Sequence, residues 1–216
     1  MKRVRSHLER FNICALSNTW LNKKDQQILR LFAKVNDLMP PYLKFQQQTN
    51  INMRPRTLYQ LWSKVIGSQG VPAAPVFRPN AHKADFLLRR GQPAGTPSSY
   101  PIPAMWQLVQ RGLPTHCIHS NYVVDYHVLL TCAGALNQTW HVDSAYAPRG
   151  TYYTIMIPLS DHTDSPGGTE FATDVPAVNI HGGSDSDIWH HRTKCLGERR
   201  HRTKALHEVG GAVIFD

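Results

Sequence analysis

The sequence predicts a mainly β chain with a jelly-roll core and a helical N-terminal region. Three observations carry that expectation. Helical periodicity is confined to the first 111 residues. After Pro114 the chain turns to short runs rich in β-branched and aromatic residues, separated by Pro, Gly, Asn and Asp turns with no helical pattern between them. Such short strands in close succession build an antiparallel sandwich or jelly roll. The third is size: 216 residues and 24.5 kDa suffice for one sizeable core with a helical appendage.

Residues 1–20 show no clear period and read as a loosely packed lead-in. From Lys23 to Met39, Ile28, Leu31, Phe32, Val35 and Leu38 recur at helical spacing, and Pro40-Pro41 stops the segment, which predicts an amphipathic helix. Thr57 to Ile66 fits a second, short helix, with Thr57 as its N-cap, Leu58, Leu61, Trp62 and Val65 on one face and Gly67 past its end. Residues 67–103 are rich in Pro, Gly, Ser and Ala and read as a long loop, either a linker or a lid. Pro103 to Arg111 predicts a short helix carrying Met105, Trp106, Leu108 and Val109, closed by Gly112-Leu113-Pro114.

Strands are expected at Tyr122 to Thr131, Gln138 to Asp143, Tyr152 to Leu159, Thr169 to Ala172 and Val209 to Phe215, with the run Tyr152 to Leu159 buried. The near-repeat His191-Arg192-Thr193-Lys194 and His201-Arg202-Thr203-Lys204 is too short for a repeat architecture, and 192–204 reads as a solvated loop. The division that follows is 1–66 helical, 67–114 loop or linker with a short helix, and 115–216 jelly roll.

Composition narrows the function classes. No apolar run approaches the roughly 20 residues of a membrane helix. Cys14, Cys117, Cys132 and Cys195 are scattered without paired spacing, which argues against a zinc knuckle or a disulfide scaffold and fits a reducing compartment. The expected location is intracellular and cytoplasmic, with a mitochondrial presequence as the alternative offered by the basic start Met1-Lys2-Arg3-Val4-Arg5. The net charge of +9 is uneven: residues 1–111 hold 17 Lys and Arg against 4 Asp and Glu, whereas residues 112–216 hold 7 against 11. A basic first half suits an anionic partner such as nucleic acid, acidic lipid or a coenzyme A ester, and equally a solvated surface without one.

The acidic half carries the chemistry. His141 and Asp143 stand two residues apart in a segment expected to be extended, so the imidazole and carboxylate project to one face and can grip one divalent ion from adjacent corners. A neutral imidazole, a carboxylate and one further histidine form the facial triad suited to non-haem Fe(II), leaving positions open for a cosubstrate and dioxygen. A second His-x-Asp triplet, His162-Thr163-Asp164, falls in a polar turn, so context favours His141. The same pair also fits an ordinary strand end satisfied by hydrogen bonds.

The string Gln138-Thr139-Trp140-His141-Val142-Asp143-Ser144-Ala145-Tyr146-Ala147-Pro148 resembles the first metal motif of the Fe(II)/2-oxoglutarate-dependent dioxygenases, phytanoyl-CoA dioxygenase-like branch. Thr154 to Asp161, Gly167-Gly168-Thr169-Glu170-Phe171 and Gly210 to Asp216 resemble the strands and turn that come next, so the resemblance covers about residues 115–216. It implies a double-stranded β-helix, cupin-like, with Fe(II) held by His141, Asp143 and a distal histidine, and 2-oxoglutarate as cosubstrate. It also implies that this histidine follows the strand ending at Asp216, so the third ligand is expected beyond Asp216 and the β core is incomplete at its C-terminus. His181, His190, His191, His201 and His207 are the substitutes within the chain. The resemblance implies an oxygenase of a small molecule or acyl ester, or a fragment of one whose own activity is in doubt. The alternatives are a catalytically inactive jelly-roll binding module and a basic nucleic-acid-binding protein.

Overall fold

The computed structural model describes residues 1–33, 76–77, 83–114, 122–131, 152–160, 169–172, 202–205 and 209–215. Two compact units divide the chain: Met1–Gln27, Ile102–His119 and Thr139–Asp216 form the first, and Ile28–Pro101 with Ser120–Gln138 form the second. The units interleave along the sequence, whereas the expected division is linear.

In the first unit, helix α1 (Lys2–Phe11) leads into strand β1 (Ile13–Leu16). The helix ends where Asn12 adopts a left-handed conformation, φ 59°, and its N–H donates to the Leu8 carbonyl at 2.8 Å. Asparagine tolerates that region better than most residues and is a common C-terminal stop. The reading of 1–20 as a loose lead-in is therefore corrected. Val4 and Leu8, four apart, are buried, and β1 pairs antiparallel with the last strand.

That last strand, β8 (Ala212–Phe215), is the centre of a three-stranded antiparallel sheet in the order β1-β8-β5, where β5 is Thr154–Met156. The registers Cys14↔Ile214↔Ile155 and Ala15↔Val213↔Met156 put the first set on one face and the second on the other. Val213 and Ile214 are only 2% and 0% exposed, so β8 is covered on both faces. This explains its unbroken apolar run, the signature of a strand with no solvated side. The β5 strand is shorter than the expected Tyr152 to Leu159 and half-buried, and Tyr152 is exposed, because β5 lies at an edge of this sheet.

A second sheet in this unit pairs β6 (Thr169–Ala172) with β7 (Arg202–Ala205). The expected solvated loop 192–204 is corrected at its end, where Arg202 pairs with Ala172 and Lys204 with Glu170. Cross-strand hydrogen bonding overrides the polar composition there. Helix α3 (Pro103–Gly112) falls where the sequence places it, with Pro103 at its first turn and Met105, Leu108 and Val109 buried. Its C-terminal carbonyls are satisfied from α1: Arg5 Nε donates to the Leu113 carbonyl at 2.8 Å and Arg5 Nη2 to that of Gln110 at 3.4 Å. A cation there also complements the negative end of the helix dipole.

Helix α2 (Lys23–Ala33) carries the chain from the first unit into the second. Asn22 starts it: its Oδ1 accepts from the Asp25 N–H at 2.9 Å, and its Nδ2 donates to Asp25 Oδ2 at 3.0 Å. The apolar face is rotated from the expected one. Leu29 and Ala33 are buried while Leu31 is 69% exposed, so Leu29 and Ala33, four apart, define the packed stripe. Residues 34–39 and the expected helix Thr57 to Ile66 lie outside the described residues.

In the second unit, β2 (Val76–Phe77), β3 (Lys83–Pro93) and β4 (Val123–Thr131) form an antiparallel sheet in that order. The segment 67–103 is thus corrected from loop to strand over Lys83–Pro93. The local signal is poor because β3 owes its conformation to its partner β4, with register shifts between Leu87 and Arg89 and between Arg89 and Gln92. Gly91 sits in the second shift at φ 63°, which a side chain would oppose, and its N–H donates to Asp125 Oδ1 at 2.6 Å. Along β4 the side chains alternate: Tyr126, Val128 and Leu130 are buried, while Val123, Asp125, His127 and Leu129 are exposed. Small antiparallel sheets with a few helices are the architecture described.

Candidate metal centre

His141 and Asp143 lie outside the described residues, as do His162, Asp164 and the substitute histidines His181, His190, His191, His201 and His207. The described residues place the strands that flank this segment. In the first unit, Phe215 of β8 stands opposite Thr154 of β5, eleven positions after Asp143. Because the pair is antiparallel, the C-terminal end of β8 adjoins the N-terminal end of β5.

The β6 strand stacks on the same sheet. The Phe171 and Phe215 rings meet edge to face with centroids 4.9 Å apart, and the Thr169 hydroxyl lies 3.8 Å from the Met156 sulfur. Thr169 and Phe171 are two apart and share one face of β6. Met156 and Phe215 share one face of β5-β8, since Thr154 pairs with Phe215 and Met156 with Val213. Two antiparallel sheets therefore face each other through aromatic and thioether contacts, the way sandwich cores are built.

The N-terminal segment fixes the other end of β8. The Leu21 N–H donates to the Gly210 carbonyl at 2.8 Å, and Gln26 Nε2 donates to the Leu21 carbonyl at 3.0 Å. Gly210 has φ 93°, and a Cβ there would collide with the Asn18 carbonyl oxygen and lie 2.9 Å from Gln26 Nε2. Only glycine fits. The opposite face of the sheet holds Cys14, a buried free thiol whose pKa is pushed up from 9.0 by burial. It is a packing residue, since a thiol in apolar surroundings is held in its unreactive form.

The second unit contains a buried tyrosine pair that the sequence does not single out. Tyr126 Oη donates to the Ser99 carbonyl at 3.0 Å, and Tyr100 Oη to the Ala94 carbonyl at 2.7 Å. The Phe32 ring packs edge-on against Tyr126 at 5.3 Å, and the Arg89 guanidinium lies 5.1 Å over Phe32. Burial raises the Tyr126 pKa above its ordinary value, Tyr100 adds to the shift and Arg89 opposes it. The hint in the sequence is the period-2 alternation of β4, which puts Tyr126 on the inward side. Both hydroxyls are spent on main-chain carbonyls, so the pair holds the loop 94–100 against β4.

Among the described residues, no group of three or more His, Cys, Asp and Glu side chains is placed to hold a metal ion. None of the described helices is long and apolar enough to cross a membrane. No family model matches the chain, and no curated protein or solved structure matches it.

Proposed function

We propose that the first unit is a domain of the iron- and 2-oxoglutarate-dependent oxygenase type, in which His141 and Asp143 supply two of three metal ligands. The donor set fits Fe(II): one neutral imidazole nitrogen and one carboxylate oxygen on a period-2 spacing. The observation that carries the reading is the register Thr154↔Phe215. A chain continuing past Asp216 leaves β8 beside the lead into β5, the segment that carries Asp143. A histidine just beyond Asp216 would thus start from the end of the sheet at which β5 begins. The facing of β6 on β5-β8 supports a jelly roll of the double-stranded β-helix kind.

In this reading His141 and Asp143 bind and orient the ion, and the buried central strand β8 anchors the sheet that β5 joins. Bound iron with 2-oxoglutarate supplies oxidation of an unactivated C–H bond. The substrate class is a small molecule or acyl ester, whose contacts come from loops rather than from the strands.

Manganese(II), which accepts the same oxygen and nitrogen donors, reports binding by its electron paramagnetic resonance signal. Residues 1–216 should bind it weakly, 2-oxoglutarate should tighten it, and His141→Ala or Asp143→Ala should each weaken it by at least about tenfold. Equal affinity in the wild type and both variants would leave only a non-metal jelly-roll module. Little succinate should form from residues 1–216 with Fe(II), 2-oxoglutarate and oxygen. Robust turnover abolished by His141→Ala would show that the third ligand lies within the chain.

A further inference from the structure

We infer that the exposed face of α1 is a binding surface for single-stranded nucleic acid. Arg3, His7 and Arg10 stand at i, i+4 and i+7 and so form one stripe along the helix, and all three are exposed. From Arg3 to Arg10 the stripe spans about 10 Å of helix axis. Phe11, also exposed, closes it: the His7 and Phe11 ring centroids are 4.6 Å apart, and the Arg10 guanidinium lies 4.9 Å over the Phe11 ring. The one acid on α1, Glu9, projects about a third of a turn away from the stripe. The remaining arginine, Arg5, is engaged with the carbonyls of Leu113 and Gln110. The stripe therefore carries no acid and ends at the Phe11 ring, with the Arg10 guanidinium over it and the His7 ring tilted 46° to it.

The partner follows from what α1 has left to offer. Its apolar residues Val4 and Leu8 are buried and Phe11 is its one exposed apolar side chain, so the helix has no continuous apolar face with which to lie in a lipid interface. Guanidinium groups on a spaced line complement phosphates, and an aromatic ring with a planar cation over it complements unpaired bases. Cations interleaved with stacking groups fit a single strand, whose bases are exposed, better than a duplex, whose bases are already stacked.

Fluorescence anisotropy of a labelled 20-nucleotide oligo-dT, titrated with the full chain at several salt concentrations, tests this. Binding should weaken as salt rises, and R3E/R10E should abolish it at moderate salt. R3K/R10K should keep the salt dependence. R3Q/R10Q should lower the magnitude of the salt slope by about 1.4, two phosphate contacts on a single strand. Phe11→Ala should weaken binding by roughly tenfold with the slope unchanged, because stacking is not ionic. K23A/K24A, which removes two exposed lysines of α2, should leave binding intact. If R3E/R10E loses its helical circular dichroism, R3Q/R10Q provides the same test without added like charge. The proposal is overturned by absence of oligonucleotide binding at low salt, by equal loss in K23A/K24A, or by stripe variants that bind as well as wild type. Binding to phosphatidylserine vesicles that is lost in R3E/R10E, with oligonucleotide binding unchanged, overturns it in favour of a membrane surface.

Discussion

The strands β8 and β4 solve the same problem in opposite ways. The strand β8 is central in its sheet and covered on both faces, whereas β4 is an outer strand in the order β2-β3-β4 and keeps one face in solvent. Two covered faces require every residue of Ala212–Phe215 to be apolar and leave no room for substitution. One covered face lets Asp125 and His127 alternate with Tyr126 and Val128, and the polar side can then do other work, as Asp125 does in accepting the Gly91 N–H. The first arrangement stores stability in packing, and the second in a few buried hydrogen bonds from tyrosine hydroxyls. Mutations should separate the two.

The largest effect is expected at Ile214, which is fully buried at the centre of β8. Ile214→Ala removes three carbons from a site closed on both sides and should cost about 2–5 kcal/mol, read from urea denaturation. Hydrogen exchange should show the loss concentrated in the amides of β1, β5 and β8. A loss spread evenly into β3 and β4 would break the comparison.

Next comes Gly210→Ala. A left-handed backbone and the Asn18 carbonyl both oppose a methyl group there, so the substitution should cost about 1–3 kcal/mol and lower the melting temperature. Because Leu21 hydrogen-bonds to Gly210, exchange at the Leu21 amide should accelerate as well. An unchanged Leu21 amide would show that the turn is not held by the N-terminal segment.

In the second unit, Tyr126→Phe keeps the ring against Phe32 but leaves the Ser99 carbonyl without its donor, at a cost of about 1–3 kcal/mol. Exchange should rise in 94–100 rather than in β8. The pH dependence adds a second reading. Burial raises the pKa of Tyr126 above its ordinary value of 10.0, so the folded state keeps a proton that the unfolded state releases. Stability is therefore full below about pH 10 and falls as pH rises above it. The Phe variant lacks this loss, so its deficit against wild type should shrink in that range. A deficit independent of pH up to 11 would rule out the buried phenol as the cause.

The contrast also explains what the sequence discloses. The strands β8 and β4 and helix α3 are legible because their patterns are local: an apolar run, a run rich in β-branched and aromatic residues, and apolar spacing closed by Gly-Leu-Pro. The β3 strand is not, because Arg89, Arg90, Gly91 and Pro93 carry no strand signal and the conformation comes from pairing with β4. Of α1 and β1 the sequence carries only a trace. Met1, Val4, Leu8 and Phe11 recur at helical spacing, and Ile13 to Leu16 is an apolar tetrapeptide. Four residues seldom announce a strand whose partner is about 200 positions away. Of the proposed metal centre, the sequence offers the donor types and spacing at His141 and Asp143, which lie outside the described residues, and the strands β5, β6 and β8 fall within or at the segments expected for them. A third ligand has no local signature, since a distal donor would be set by how strands are brought together, which no local pattern encodes.

The smallest effect is expected on α2, where apolar periodicity and packing disagree. Periodicity assigned Leu31 to the packed side of α2, yet Leu29 and Ala33 occupy it and Leu31 faces solvent. Leu31→Ser should therefore change stability by no more than about 0.5 kcal/mol, because a leucine already in water loses little burial and serine pays only its weaker helix propensity. Leu29→Ser, two positions away, should cost several times more, since it buries a hydroxyl in an apolar contact. Measured together by urea denaturation, the pair fixes which stripe of α2 packs. Equal costs at the two positions would show that a partner covers Leu31 in solution.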